Sequence, residues 1–225
     1  MENELTADNL MFAEDYDLAE DCYDPDAPGT PPEQIIEAKA IKRLERIYAR
    51  RAWGEKKLFE ILGPELEPGV TYHVLSGGDI DSLSYLMHIV NQQDLDYCLF
   101  STWCMAMPDV LQFGKWLEEG KIKHLDAYVG EIFINSYPQC WGKLSEILKR
   151  HGGRLCVFRN HAKIFAGTGP KFSFSIESSA NINTNPRTEN ATVTVSAEMF
   201  QFYKDFFDGI KSFDRTFDEW RTWTG

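Results

Sequence analysis

The sequence is first informative for what it lacks. Residues 1–37 contain no Lys or Arg. No run of about 18 apolar residues occurs, the length a helix needs to cross a bilayer core, so no membrane span is expected. Met1-Glu2-Asn3-Glu4 has neither the basic start nor the apolar stretch of a signal peptide, so a cytoplasmic protein is expected. The five cysteines (Cys22, Cys98, Cys104, Cys140, Cys156) are odd in number, scattered, and form no C-x-x-C pair. They read as reduced thiols and argue against a zinc site. Neither the G-x-x-x-x-G-K-[ST] nor the G-x-G-x-x-G pattern is found. No internal repeat is visible. No metal or cofactor is expected.

What is present fits one sizeable domain with an appendage: 225 residues, 43% hydrophobic and 13% aromatic. The net charge of −12 is unevenly placed. Residues 1–37 hold 12 acids; removing them from the 35 leaves 23, matched by 23 Lys and Arg in the rest of the chain. The body is therefore neutral, which neither predicts nor excludes a nucleic-acid partner, since local clustering decides that.

Residues 1–32 read as an acidic, flexible arm ending in the breaker-rich Asp24-Pro25-Asp26-Ala27-Pro28-Gly29-Thr30-Pro31-Pro32. It is either a solvated tail or an anion mimic that covers the chain's own groove or docks on a partner protein. Residues 33–63 then change sign. Ile41, Leu44, Ile47, Tyr48, Leu58, Phe59 and Leu62 fall at helical spacing. The opposite face carries Lys39, Lys42, Arg43, Arg46, Arg50, Arg51, Lys56 and Lys57. That face can contact phosphates or simply be solvated.

Residues 64–225 alternate strand and helix patterns and imply an α/β sandwich, a mixed β-sheet flanked by helices. Strands are expected at Val70–Leu75, Tyr97–Thr102, His124–Val129, Leu155–Phe158, Ala162–Ala166, Phe172–Glu177 and Asn190–Ser196. Glu131–Asn135 reads as a short strand or loop. Helices are expected at Ile80–Gln92, Pro108–Glu119, Gln139–His151 and Ala197–Phe217. The Gly167-Thr168-Gly169-Pro170 turn makes the 162–177 pair an antiparallel hairpin. Ser76-Gly77-Gly78-Asp79 reads as a tight turn; an anion site at the following helix N-terminus is the alternative. Ser101-Thr102-Trp103-Cys104 ends a strand where ligands bind in open α/β sheets, and is kept as site lining.

The chemistry-bearing stretch is Asn160-His161-Ala162-Lys163 with Glu177-Ser178-Ser179-Ala180-Asn181 behind it. On a strand, His161 and Lys163 share a face, and Ser179 and Asn181 repeat the spacing. Four groups able to attack or grip a phosphate can thus converge. His161-x-Lys163 followed by Ser179-x-Asn181 resembles the H-x-K…G-S-x-N signature of the phospholipase D superfamily. The stretches VLSGGDIDSL, FSTWCM, NHAKI and IESSANINTNPRTEN resemble blocks of its small phage and prophage members with one motif per chain. The resemblance spans about residues 42–210.

That resemblance implies a phospholipase-D-like sandwich and metal-independent phosphodiester chemistry. One histidine attacks phosphorus and a second, from another motif, protonates the leaving oxygen. Carried over, His161 is nucleophile or acid, Lys163 and Asn181 hold the phosphate, Ser179 hydrogen-bonds nearby, and Glu189 orients His161. Arg187, Lys42, Arg43, Arg46 and Arg50 are the candidate phosphate or nucleic-acid contacts. His73, His88, His124 and His151 lie in no second H-x-K, so a homodimer is expected to complete the site. Thr168 stands where the superfamily often has an aspartate, and Ser178 replaces the first glycine of its motif. The expected function is a nuclease, in the host cytoplasm if the chain is phage-encoded. The alternative is a catalytically inactive nucleic-acid- or protein-binding module. A phospholipase ranks third.

Overall fold

The computed structural model describes residues 54–78, 80–182, 187–217 and 220–225. The acidic arm and most of the basic segment, including Lys42, Arg43, Arg46 and Arg50, lie outside the described residues. The described part of the chain opens with helix α1 (54–62). It continues through β1 (Thr71–Ser76), α2 (Ser82–Val90), β2 (Tyr97–Thr102), α3 (Met107–Glu118), β3 (Leu125–Gly130), α4 (Phe133–Ser136) and α5 (Pro138–His151). It ends with β4 (Arg154–Phe158), β5 (Ile164–Thr168), β6 (Ser173–Ser178), β7 (Glu189–Thr194) and α6 (Ala197–Asp208). The strands form one seven-stranded sheet in the order β1-β7-β6-β5-β2-β3-β4. β2, β3 and β4 are parallel; every other pairing is antiparallel. The mixed α/β sheet flanked by helices stands as read from the sequence.

The helices cover the two faces unequally. Cys98, Phe100, Ala127, Val129, Leu155 and Val157 join one large core with residues of α1, α2, α3 and α5. Their alternate neighbours Tyr97, Leu99, Tyr128 and Cys156 pack with Phe200 and Phe207 of α6 in a second core. Every residue of β2 and β3 is buried, which is why both read as nearly unbroken apolar runs rather than alternating ones. Asp126 is the exception in β3. It is fully buried and accepts from Tyr97 Oη (2.9 Å), Arg154 N (2.8 Å) and Trp220 Nε1 (3.2 Å), with His124 Nε2 3.1 Å away.

Three sequence expectations are corrected. Glu131–Asn135 is not a strand, because α4 occupies Phe133–Ser136. Phe133 is buried, and the Ile132 carbonyl accepts from Asn135 N (3.1 Å) and Ser136 N (2.8 Å), winding the chain into α5 at once. α6 stops at Asp208 before Gly209, well short of Phe217. The later aromatics continue the apolar pattern but serve another end: Phe213 N donates to Val157 O (2.7 Å) and Ser212 Oγ accepts from Val157 N (3.0 Å), covering the outer edge of β4. β5 begins at Ile164, two residues later than expected, because side chains take over the backbone groups just before it. The antiparallel hairpin with β6 is present, pairing Ile164 with Glu177 and Thr168 with Ser173.

Candidate active site

Strand directions place the chemistry on one edge. In the observed registers the carboxyl ends of β1, β2, β3, β4 and β6 and the amino ends of β5 and β7 lie together. Thr102, Gly130, Phe158, Ser178, Ile164 and Glu189 therefore line a common rim, the rim where open sheets bind ligands.

Asn160 builds the centre of that rim. It is 6% exposed, and its Nδ2 donates to Ser101 Oγ (2.9 Å), Tyr128 O (3.1 Å) and, at longer range, Thr102 O (3.4 Å). Its Oδ1 accepts from Ala162 N (3.0 Å), while Ser101 Oγ donates to Ala162 O (3.1 Å). Both backbone groups of Ala162 are thus held by side chains rather than by a ladder. That is why 160–163 is a clamped segment and not the first half of β5.

His161 and Lys163 meet, though not as neighbours on a strand face. His161 is exposed and Lys163 is 8% exposed. Lys163 Nζ donates to His161 O (2.7 Å) and lies 2.8 Å from Nδ1 and 3.3 Å from Nε2 of the same residue. Burial pushes the Lys163 ammonium below the usual lysine range, while the negative fields of Cys104 and Glu189 pull it back up. The backbone behind it is fixed by Ser178 N donating to Lys163 O (3.0 Å). The imidazole also meets Trp103, ring centroids 5.4 Å apart and tilted by 49°.

Ser179 and Glu189 form a second group on the rim. The Ser179 hydroxyl donates to Glu189 Oε2 and accepts from Asn190 N (3.0 Å). In this structure the Glu189 carboxylate is therefore held by Ser179 rather than by His161. Ser178 replaces a motif glycine usefully: its Oγ accepts from Ala180 N (3.0 Å) and turns the chain. Ser82 Oγ, at the start of α2, donates to Ala180 O (2.7 Å) and ties the turn down. Asn181 follows, half-buried, with Oδ1 buried and no hydrogen bond to it among the described residues. An uncommitted buried acceptor is the kind of group found at functional sites.

The remaining candidates divide. Arg187 is exposed two residues before Glu189. Thr168 is at the far end of β5, where Oγ1 lies 2.8 Å from Ser173 Oγ, so its difference from the family pattern falls away from the site. Of the expected Ser76-Gly77-Gly78-Asp79 turn, Ser76 ends β1 and the chain bends at Gly77-Gly78, with Gly78 at φ 84°; Asp79 lies outside the described residues. Asp81 caps α2 itself, accepting from Ser84 N (2.7 Å) and Ser84 Oγ (2.8 Å), so that helix end serves a carboxylate of the chain. Asn160 as a clamp went unread in the sequence; Asn directly before H-x-K was its only signal. Among the described residues no group of three or more His, Cys, Asp or Glu side chains gathers as for a metal ion. Nor is any helix there long and apolar enough to cross a membrane.

The fold is an α/β sandwich whose rim carries the His161–Lys163 pair and, as a second group, the Ser179–Glu189 pair. No family model matches the chain, and no curated protein matches it. Among solved structures it is similar to a polyphosphate kinase from Porphyromonas gingivalis, with 14% identity and a TM-score of 0.47 over 65% of this chain and 27% of that one. It is also similar to a phosphatidylserine synthase from Haemophilus influenzae Rd KW20, with 14% identity and a TM-score of 0.47 over 64% of this chain and 39% of that one. The chain thus aligns with less than half the length of either protein.

Proposed function

We propose that this chain is a metal-independent phosphodiesterase of the phospholipase D kind, acting on nucleic acid through His161. One observation supports this most: a largely buried ammonium, Lys163 Nζ, lies 2.8 Å from Nδ1 of an exposed imidazole on the ligand-binding rim of the sheet. The imidazole is the nucleophile. A ring nitrogen of His161 attacks phosphorus, a P–N bond forms, and the P–O bond to the leaving group breaks. His161 of a second copy protonates the leaving oxygen and then takes a proton from the water that cleaves the P–N bond. Lys163, already half-desolvated, meets the charge that develops on the phosphoryl oxygens. Asn181 and Ser179 add hydrogen bonds, and Arg187 contacts the strand outside the reacting centre.

The test is cleavage of plasmid and single-stranded DNA in EDTA by wild type and His161→Ala, with the native mass of the assembly measured alongside. His161-dependent cleavage by a dimer is expected. Loss of no activity in His161→Ala, or a monomer with full activity, contradicts the reading. A second reading is a binding module that holds nucleic acid without cutting it. The Ser179–Glu189 pair favours it, since among the described residues no carboxylate is then bonded to the His161 ring. It expects salt-sensitive binding with no turnover.

A further inference from the structure

We infer that Trp103 is the specificity wall of this site and takes the face of an unstacked nucleobase beside the scissile phosphate; the inference rests on the phosphodiesterase reading and names its substrate class as single-stranded nucleic acid. Trp103 follows β2 directly and is half-buried. Its indole is the ring that contacts the imidazole of His161, at 5.4 Å between centroids. The indole is held there by an absence. Gly130 ends β3, and a Cβ on it would stand 2.6 Å from Trp103 Cδ1, 3.3 Å from Nε1 and 3.1 Å from Asn160 O. Gly130 has no positive φ to explain it, so close approach is what the glycine serves.

The same clamp fixes both partners. Asn160 holds Ser101 and Thr102 on one side and Ala162 on the other, so the indole and the imidazole are set by one buried side chain. A rigid aromatic plane beside a phosphorus-attacking group suits a substrate whose phosphate adjoins a planar group. Every base has a π-face, and stacking on an aromatic side chain is sequence-tolerant. A duplex keeps its base faces within the stack, so an unpaired strand is required. An acyl chain would need an apolar bed instead. Among the described residues the only large exposed apolar side chain on a strand is Leu75, opposite Asn190 near the end of β1, and a single side chain makes no such bed.

The test measures binding without turnover, on a His161→Gln background in full-length protein. Dissociation constants are taken by fluorescence anisotropy for labelled oligothymidylate and for an abasic strand of equal length. Three proteins are compared: Trp103 intact, Trp103→Phe, and Trp103→Leu, which fills the Gly130 slot without an aromatic face. With Trp103 or Phe, oligothymidylate binds about tenfold or more tightly than the abasic strand; with Leu the preference falls to about twofold or less. An equal preference in all three, no preference with Trp103 intact, or binding to phosphatidylglycerol vesicles in place of either strand overturns the inference. Circular dichroism confirms folding of each variant. A base preference in a protein that never cleaves DNA would overturn the hydrolytic reading and leave the wall standing.

Discussion

Replacing Asn160 tests how the site is held. Asn160→Ala removes hydrogen bonds to Ser101 Oγ, Tyr128 O and Ala162 N at 2.9–3.1 Å, plus a long contact to Thr102 O. Three well-formed bonds at about 1 kcal/mol net each put the loss near 3 kcal/mol, before any cavity term. With a urea slope of about 2 kcal/mol/M, the unfolding midpoint falls by about 1.5 M. Asn160→Asp sharpens the argument. Its carboxylate still accepts from Ala162 N but faces the carbonyls of Tyr128 and Thr102, so the folded state favours the protonated acid. The folded pKa is raised above the unfolded one. Stability is then retained below about pH 4 and lost as pH rises through the folded value. Turnover falls about 100-fold in both variants, because His161 and Lys163 ride on the clamped segment. Urea titrations at pH 4.5 and 8, with EDTA-resistant cleavage in parallel, read all three effects. An Asn160→Ala midpoint within about 0.3 M of wild type, or a pH-independent Asn160→Asp, would refute the clamp.

Other outcomes follow from single contacts. Lys163 has its pKa lowered by burial below 10.5, so the unfolded chain binds more protons between the folded value and 10.5 and stability rises with pH across that window. Lys163→Met abolishes that rise in urea midpoints from pH 8 to 10, is at least as stable at pH 7, and loses phosphate binding. Gly130→Ala drives a methyl into Trp103 and costs about 1–3 kcal/mol by overpacking, with a shifted tryptophan emission maximum as the readout. Asp126→Ala strands the buried donors Tyr97 Oη and Arg154 N and the half-buried Trp220 Nε1, and denaturation should show a loss of about 3–5 kcal/mol.

The sheet was legible where its strands are buried on both faces. β2 falls at Tyr97–Thr102 as read, β3 moves by one residue at both ends and β4 gains one at its start, because continuous apolar runs between turn residues leave little choice of boundary. α6 was over-extended because Phe213 and Phe217 keep its apolar rhythm, and nothing local says that the 212–213 segment bonds to the edge of β4 while Phe217 packs on the large core. His161 and Lys163 were found by their spacing, yet for the wrong local reason. Their proximity comes from the Lys163 ammonium folding back on the His161 carbonyl and ring, which a strand alternation does not describe. The Ser179–Glu189 contact joins residues ten apart in sequence, and the Trp103–His161 contact joins the segments that follow β2 and precede β5. Such pairings depend on sheet order, which periodicity does not carry. Thr168 looked like a defect in the motif and proves to lie at the opposite end of β5.

The central claim is that His161 becomes covalently attached to phosphorus. The direct measurement is intact-protein and peptide mass after an alkaline quench of wild type mixed with a single-stranded oligonucleotide in EDTA. A nucleotide adduct, through phosphorus, is expected on the peptide carrying His161, formed and lost at the rate of turnover and absent in His161→Ala. Cleavage that proceeds at the wild-type rate with no adduct at any time point, or an adduct on another residue, would contradict it.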